Sequence, residues 1–193
     1  MWRQPLLASA HWLFSAYIAR LFPELAHTFS EPVVLRIFQI RIGAEKGFRL
    51  CFHHHMGTVV QTAEETTRML DETDAKYVHL CYDTGHFVFT GADPVAMLKK
   101  YVNRVGHVHL KDVRLPVLER VHKENLSFLT AVREGAFTVP GDGGFDFQPV
   151  FDVLDKANYT GWLLVEAEQD PAKANPFEYA KMARSYIAAH TGL

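Results

Sequence analysis

RLCFHHHMGT, Arg49 to Thr58, is a short apolar run that ends in three consecutive histidines and a Met-Gly-Thr turn. Three later stretches share the design: VHLCYDTGH (78–86), VGHVHLKDVR (105–114) and GWLLVEAEQD (161–170) each carry an apolar strand into residues with metal-binding side chains. Parallel α/β folds collect their ligands at the carboxyl ends of the strands. Strand ends bearing His53, Asp83, His109 and Glu166 therefore predict one site at the top of a parallel sheet. Strand side chains alternate faces, so His53 and His55 should share a side, as should His107 with His109 and Glu166 with Glu168. A mixed His/Asp/Glu set suits a divalent ion such as Mn²⁺, Co²⁺ or Zn²⁺, and the absence of Cys from the set argues against a closed structural zinc site.

Each residue also has a plainer reading. Asp83 in D-T-G-H could cap a helix or turn, and His109 alone could donate to a backbone carbonyl. Glu166 follows four apolar residues, where a carboxylate without a cation is poorly tolerated. Lys111 and Arg114, just past a strand end, are either solvated charges or substrate contacts.

Outward from this centre the chain reads as β-α units. FRLCFH (48–53) is a strand, and Thr62 with Glu65 forms a capping box for a helix to about Glu72. YVHLCYD (77–83) is the next strand, Asp93-Pro94 opens the helix VAMLKKYVNR, and GHVHLKD (106–112) is a strand. Pro116–Glu134 reads as a helix with an internal loop, 135–147 as Gly-rich and irregular, 147–158 as a helix, 162–168 as a strand and 176–190 as a closing helix. The strands read as fully apolar, the pattern of parallel sheets covered by helices. No GxGxxG opens a helix after a strand, which argues against a dinucleotide site. Residues 1–46 carry no chemical motif: 12–25 has helical spacing, and 33–43 reads as strand or helix.

The 193 residues suffice for one domain with a sizeable core. The formal charge of −2, with scattered Lys and Arg, gives no electrostatic case for nucleic acid. No apolar run reaches membrane-spanning length; residues 5–19 are hydrophobic, but His11 interrupts them and no convincing cleavage site follows. Cys51 and Cys81 are the two cysteines, expected as buried thiols in a reducing, cytoplasmic setting.

FHHHMGTVVQT (52–62), YDTGHFVFTGADP (82–94), VGHVHLKDVR (105–114), FLTAVREGAFTVPGDG (128–143) and GWLLVEAEQDP (161–171) together resemble the inosose dehydratase family, enzymes of inositol catabolism in the xylose-isomerase-like TIM-barrel superfamily. The resemblance spans about residues 46–190. It implies metal ligands at Asp83, His109 and Glu166, with His53 at the position where the wider superfamily has a first Glu. It also implies dehydration of 2-keto-myo-inositol, a cyclic polyol ketone, through an enolate with Mn²⁺ or Co²⁺. His86, Glu168 and Lys111 are the catalytic candidates, and His55 and Arg114 the substrate contacts, with His55 also open to an acid, base or ligand role. A sugar isomerase or epimerase of the same superfamily is the alternative.

The family barrel has eight β-α units in about 250 residues. Only four clear units are legible, matching the last four. The expectation is the second half of a TIM barrel (47–193) behind an atypical N-terminal segment (1–46). Such a piece would expose apolar faces and two sheet edges. It would form a homodimer that covers them, be unstable, or be a non-catalytic remnant.

Overall fold

The computed structural model describes residues 42–193. The chain separates into two units, Met1–Leu50 and Cys51–Leu193, and the description concerns the second with the start of its first strand. The reading made for 12–25, and all but the last two residues of that for 33–43, lie outside the described residues.

Four strands form the main sheet in the order β1 (Leu50–His53), β2 (Val78–Asp83), β3 (Val105–Leu110), β6 (Leu163–Val165). The β2–β3 and β3–β6 pairs are parallel. Asp83 stands level with His109, and His109 with Leu164. The helices between strands are α1 (Ala63–Asp71), α2 (Thr84–Phe89), α3 (Pro94–Tyr101), α4 (Leu115–Lys123), α5 (Phe128–Arg133) and α6 (Gln148–Lys156), and α7 (Pro176–Thr191) closes the chain. A small antiparallel pair, β4 (Asp112–Val113) with β5 (Phe137–Thr138), sits beyond the end of β3. The parallel α/β architecture expected from the sequence is present.

The boundaries follow local chemistry. Thr62 and Glu65 form the capping box of α1, each side chain bonded to the other's backbone N–H. Asp93 caps α3 at Val95 and Ala96, with Pro94 in the first turn where it forfeits no helical bond. Helix α3 stops at Tyr101, and Val102–Arg104 tighten into a 3₁₀ turn. Arg104 then donates to the carbonyls of Leu70 and Val78, joining the end of α1 to the start of β2.

One sequence reading needs correction: the strands are not uniformly apolar. In V-H-L-C-Y-D the residues Leu80 and Tyr82 enter the helix-facing core with Val108 and Leu110 of β3. Leu98, Phe147, Phe151, Leu154 and Ile187 cover them. Each such apolar side chain removed from water contributes roughly 1.5–3 kcal/mol. The alternate residues, Cys81, Asp83, His107 and His109, lie on the opposite face by the period of two. A carboxylate and imidazoles on an inner face were obscured by their apolar neighbours, and this alternation builds the site.

Candidate metal centre and its proton-carrying neighbours

Asp83 takes both roles that its sequence context allows. Its Oδ1 accepts from the His86 N–H at 2.9 Å and so caps α2. Its Oδ2 turns toward His53 Nε2 at 3.3 Å, His109 Nδ1 at 3.4 Å and Lys111 Nζ at 3.6 Å. The carboxylate is fully buried. Burial alone would push it toward protonation, but the adjacent His109 and His53 imidazoles and the charge of Lys111 hold it well below the usual carboxylate range.

His109 and Glu166, from the ends of β3 and β6, complete the group. Ligand atoms of His53, Asp83, His109 and Glu166 all lie within 4.8 Å of one another. His109 Nδ1 and Glu166 Oε2 approach to 2.8 Å, yet neither buried atom has a hydrogen-bond partner of acceptable angle. They stand side by side rather than end to end. Donors held at about 2.1 Å from one centre sit about 3.0 Å apart when adjacent, and the separations here of 2.8, 3.3 and 3.4 Å are of that size. Two carboxylates with two imidazoles form a hard-to-borderline donor set, so these residues fit a divalent ion. The field has the matching sign. Burial lowers the His109 pKa, but Asp83, Cys81 and Glu166 raise it further, to about 11. His109 in turn holds Glu166 down at about 2, against the effect of burial.

A second group adjoins the first. Lys111, wholly buried, places Nζ 2.7 Å from Glu168 Oε2, 3.1 Å from His86 Nε2 and 3.4 Å from Glu166 Oε2. Burial opposes the ammonium charge, but Asp83, Glu168 and Glu166 outweigh it and raise the pKa. His55 Nε2 meets Glu168 Oε1 at 3.3 Å, and its Nδ1 lies 2.7 Å from the Met56 carbonyl. Both partners are acceptors, so both bonds form together only when the ring carries two protons. His86 is driven the other way, down to about 2, mainly by burial, so a neutral ring accepts from Lys111. Glu168 holds a left-handed backbone, φ 42°, uncommon for a side-chain-bearing residue and typical of functional positions.

The structure thus brings His53, Asp83, His109 and Glu166 into one group and His55, His86, Lys111 and Glu168 into another. Arg114 is not brought in: it donates to the carbonyls of Gly135 and Phe137 and to Thr138 and Asp142, the last at 2.6 Å. The fused strand reading of 106–112 concealed this, because the chain leaves β3 after Leu110 and re-pairs as β4. Sequence reasoning missed three further residues. Cys81 lies one pleat below Asp83, with its sulfur in a group with His53 and His109. Thr84 accepts from the Lys111 N–H at 2.9 Å and donates to the Lys111 carbonyl at 2.7 Å. Gly85 lies under the Lys111 stem, where an added Cβ would come within 2.5 Å of Cγ. The D-T-G-H spacing is the signal that could have revealed the last two.

Gly85→Ala should therefore displace Lys111. Its stem is closed in and its head is fixed by three partners, so the strain cannot be relieved cheaply. A loss of about 1–3 kcal/mol is expected from overpacking, measured as a lower urea midpoint at constant slope. An unchanged midpoint would contradict the close approach.

Comparison with known proteins agrees with this architecture. The family model described as xylose isomerase-like TIM barrel matches residues 36–189. Inosose dehydratases from Clostridium beijerinckii and Geobacillus thermodenitrificans are each 59% identical over 152 residues, covering 79% of this chain and 51% of the relative. The chain spans about half the length of the curated relatives it matches. Among solved structures, the probable 3-DHS dehydratase AsbF from Bacillus anthracis superposes with a TM-score of 0.62 at 18% identity, over 82% of this chain and 56% of that one. The IOLI protein with a bound zinc atom gives 0.58 at 18% identity, over 78% and 51%.

Proposed function

Because the chain belongs to the xylose isomerase-like TIM-barrel family, we propose that its strand-end cluster holds a divalent ion and serves the dehydration of 2-keto-myo-inositol, the activity for which its inosose dehydratase relatives are named. The observation that carries the reading is the convergence of Asp83, His109, Glu166 and His53 within 4.8 Å, beside a second group built to hold and move protons. The relatives' name supports the substrate. With two imidazoles and two carboxylates, Mn²⁺ or Co²⁺ is the proposed occupant. Cys81 and Cys51 are thiols outside any disulfide, which supports a reducing, cytoplasmic setting. No helix among the described residues is long and apolar enough to cross a membrane.

When bound, the ion supplies Lewis-acid polarisation of the substrate ketone, acidifying the neighbouring C–H. Lys111 acts as a donor: its ammonium, charged by three carboxylates, stabilises negative charge developing on the substrate oxygen. Glu168, held between Lys111 and His55, takes the α-proton, and His55 gives a proton to the departing β-hydroxyl. His86, neutral and bonded to Lys111, orients the ammonium. The proposed site residues are thus Asp83, His109, Glu166 and His53 for the ion, and Glu168, His55, Lys111 and His86 for chemistry.

Incubating the protein with Mn²⁺ and inosose should yield a product lighter by one water, by mass spectrometry. Glu168→Gln should also stop exchange of the substrate α-proton with D₂O. Isomerisation of a ketohexose without loss of water would instead favour the sugar epimerase reading, which structural neighbours such as 3-keto-D-glucoside 4-epimerase support (TM-score 0.56, 20% identity). Absence of turnover, with the ion bound, would identify a non-catalytic remnant.

We also propose that two copies pair across the outer strands. Supporting this, Leu50 of β1 and Trp162 and Leu164 beside the β6 edge are exposed. An apolar groove of about 700 Å³ also runs along β6, lined by Trp162, Leu163, Val165 and Ile187. Sedimentation equilibrium should return twice the chain mass; a monomer at all micromolar concentrations would refute it.

Ion uptake has a calculable pH dependence. The cluster favours a proton on His109, with its pKa raised to about 11, whereas a ligating imidazole must be neutral. Uptake at neutral pH should therefore expel about one proton, and apparent affinity should rise about tenfold per pH unit below that value. Calorimetry in buffers of different ionisation heat would count the proton; a count of zero would remove His109 from the ligand set.

A further inference from the structure

Below the carboxylates lies a thiol that the proposed reaction does not use. Cys81 precedes Asp83 by two residues on β2, so its side chain leaves the same face one pleat deeper, about 7 Å along the strand. The thiol is buried and forms no disulfide. Its sulfur lies with one ring nitrogen of His53 and one of His109 in a group whose ligand atoms are all within 4.8 Å of one another. The same two imidazoles thus belong to two sets. One adds two carboxylate oxygens, from Asp83 and Glu166, and the other adds a sulfur.

Softness divides these sets. Carboxylate oxygen suits Mn²⁺ and other hard ions, while thiolate selects softer ions, Zn²⁺ among first-row divalent metals. Cd²⁺, softer still, favours sulfur more strongly. Three protein donors with a remaining solvent or substrate position is a known zinc arrangement. We propose that Cys81, His53 and His109 form a second seat for a thiophilic divalent ion, and that this seat and the oxygen-rich one exclude each other because they share both imidazoles. On binding, the Cys81 S–H bond breaks, its proton passes to solvent, and the thiolate lone pair binds the ion; nothing is oxidised or reduced. A thiophilic ion bound in this way is an inhibitor of the proposed activity that acts by removing two ligands from the working ion.

The test uses Cd²⁺ on metal-free protein, read by the thiolate-to-cadmium charge-transfer absorption in the ultraviolet. The absorption should saturate at one Cd²⁺ per chain, vanish in Cys81→Ser and Cys81→Ala, and persist in Cys51→Ser. In Mn²⁺-loaded protein, Cd²⁺ should release Mn²⁺, seen as the free-ion paramagnetic resonance signal, and Cys81→Ser should require about tenfold more Cd²⁺ or beyond. Should the Cys81 variants not fold, protection of Cys81 from iodoacetamide by Cd²⁺ in the unaltered chain, mapped by mass spectrometry, replaces them. Absence of the absorption, its survival without Cys81, lack of protection, or Mn²⁺ that stays bound alongside Cd²⁺ would each overturn the proposal. A chain that takes Cd²⁺ on Cys81 but never holds Mn²⁺ would keep the sulfur seat and sink the oxygen-rich one.

Discussion

Glu166→Gln, and separately His109→Ala, should leave the purified chain without its divalent ion after dialysis, with stoichiometry falling from about one to near zero. The charge balance explains the size of the effect. Asp83, Glu166 and Glu168 set three negative charges against the single ammonium of Lys111, a net −2 when the imidazoles are neutral, which matches a divalent cation. Gln keeps the shape of Glu166 but halves that net charge and replaces an anionic oxygen by a weaker amide donor. His109→Ala removes an imidazole that touches both Asp83 and Glu166, at 3.4 and 2.8 Å. Supporting groups around a metal site alone are worth 10–100-fold in affinity, so loss of a direct ligand should cost about 100-fold or more. Glu168→Gln is the control: it lowers the net charge by the same amount but bonds to Lys111 and His55 rather than facing the cluster, so the ion should be retained. Equal loss in all three variants would mean that bulk charge, and not ligation, governs binding. Unchanged stoichiometry in Glu166→Gln would show that the ligand assignment is wrong.

The strand ends were legible because apolar runs ending in His, Asp or Glu are costly unless something consumes the polar groups. The association of His53, Asp83, His109 and Glu166 follows from that together with the β-α alternation, which makes the sheet parallel. Four features were not legible. Asp83 caps α2 with one oxygen and faces the cluster with the other, so a short helix at Thr84–Phe89 lay inside a motif read as a helix cap, turn cap or metal ligand without a choice between them. Arg114 follows a strand continuation, β4 (Asp112–Val113), whose partner Phe137–Thr138 lies in a stretch with no strand-like periodicity. Arg114 is therefore spent on carbonyls and on Asp142 rather than on the cluster. Glu168 was expected to follow the alternation of Glu166, but β6 ends at Val165. The left-handed turn at Glu168, and not the pleat, aims its carboxylate at Lys111. Cys81 was passed over because a thiol inside an apolar strand reads as a small hydrophobe; its register beneath Asp83 is a property of the assembled sheet.

Lys111→Met should be the most destabilising single change, provided the chain is kept metal-free. Met preserves most of the aliphatic stem, so contacts over Gly85 are largely retained, and the loss isolates the ammonium together with its place over the Phe137 ring. Without it, Asp83, which is fully buried, and the part-buried Glu166 and Glu168 repel one another in a site of low polarity. Breaking a buried ion pair by deleting one partner typically costs 3–5 kcal/mol, and about that loss is expected from urea unfolding in EDTA. Saturating Mn²⁺ should return part of it, because a divalent ion supplies the missing positive charge to two of the three carboxylates. Acid should narrow the difference for a definite reason. Glu166 is held near 2 in the native chain against its ordinary 4.5, by His109 first and by Lys111 in part, so the share of that stability owed to Lys111 is complete above about 4.5 and lost as the pH falls through about 2. The stability gap between the unaltered chain and the Lys111→Met variant, measured in EDTA, should therefore be widest near neutral pH and narrow across that acid window. A gap that widened in acid would mean that Lys111 is held by packing rather than by charge. A gap unaffected by Mn²⁺ would separate the ammonium from the cluster that it is placed to neutralise.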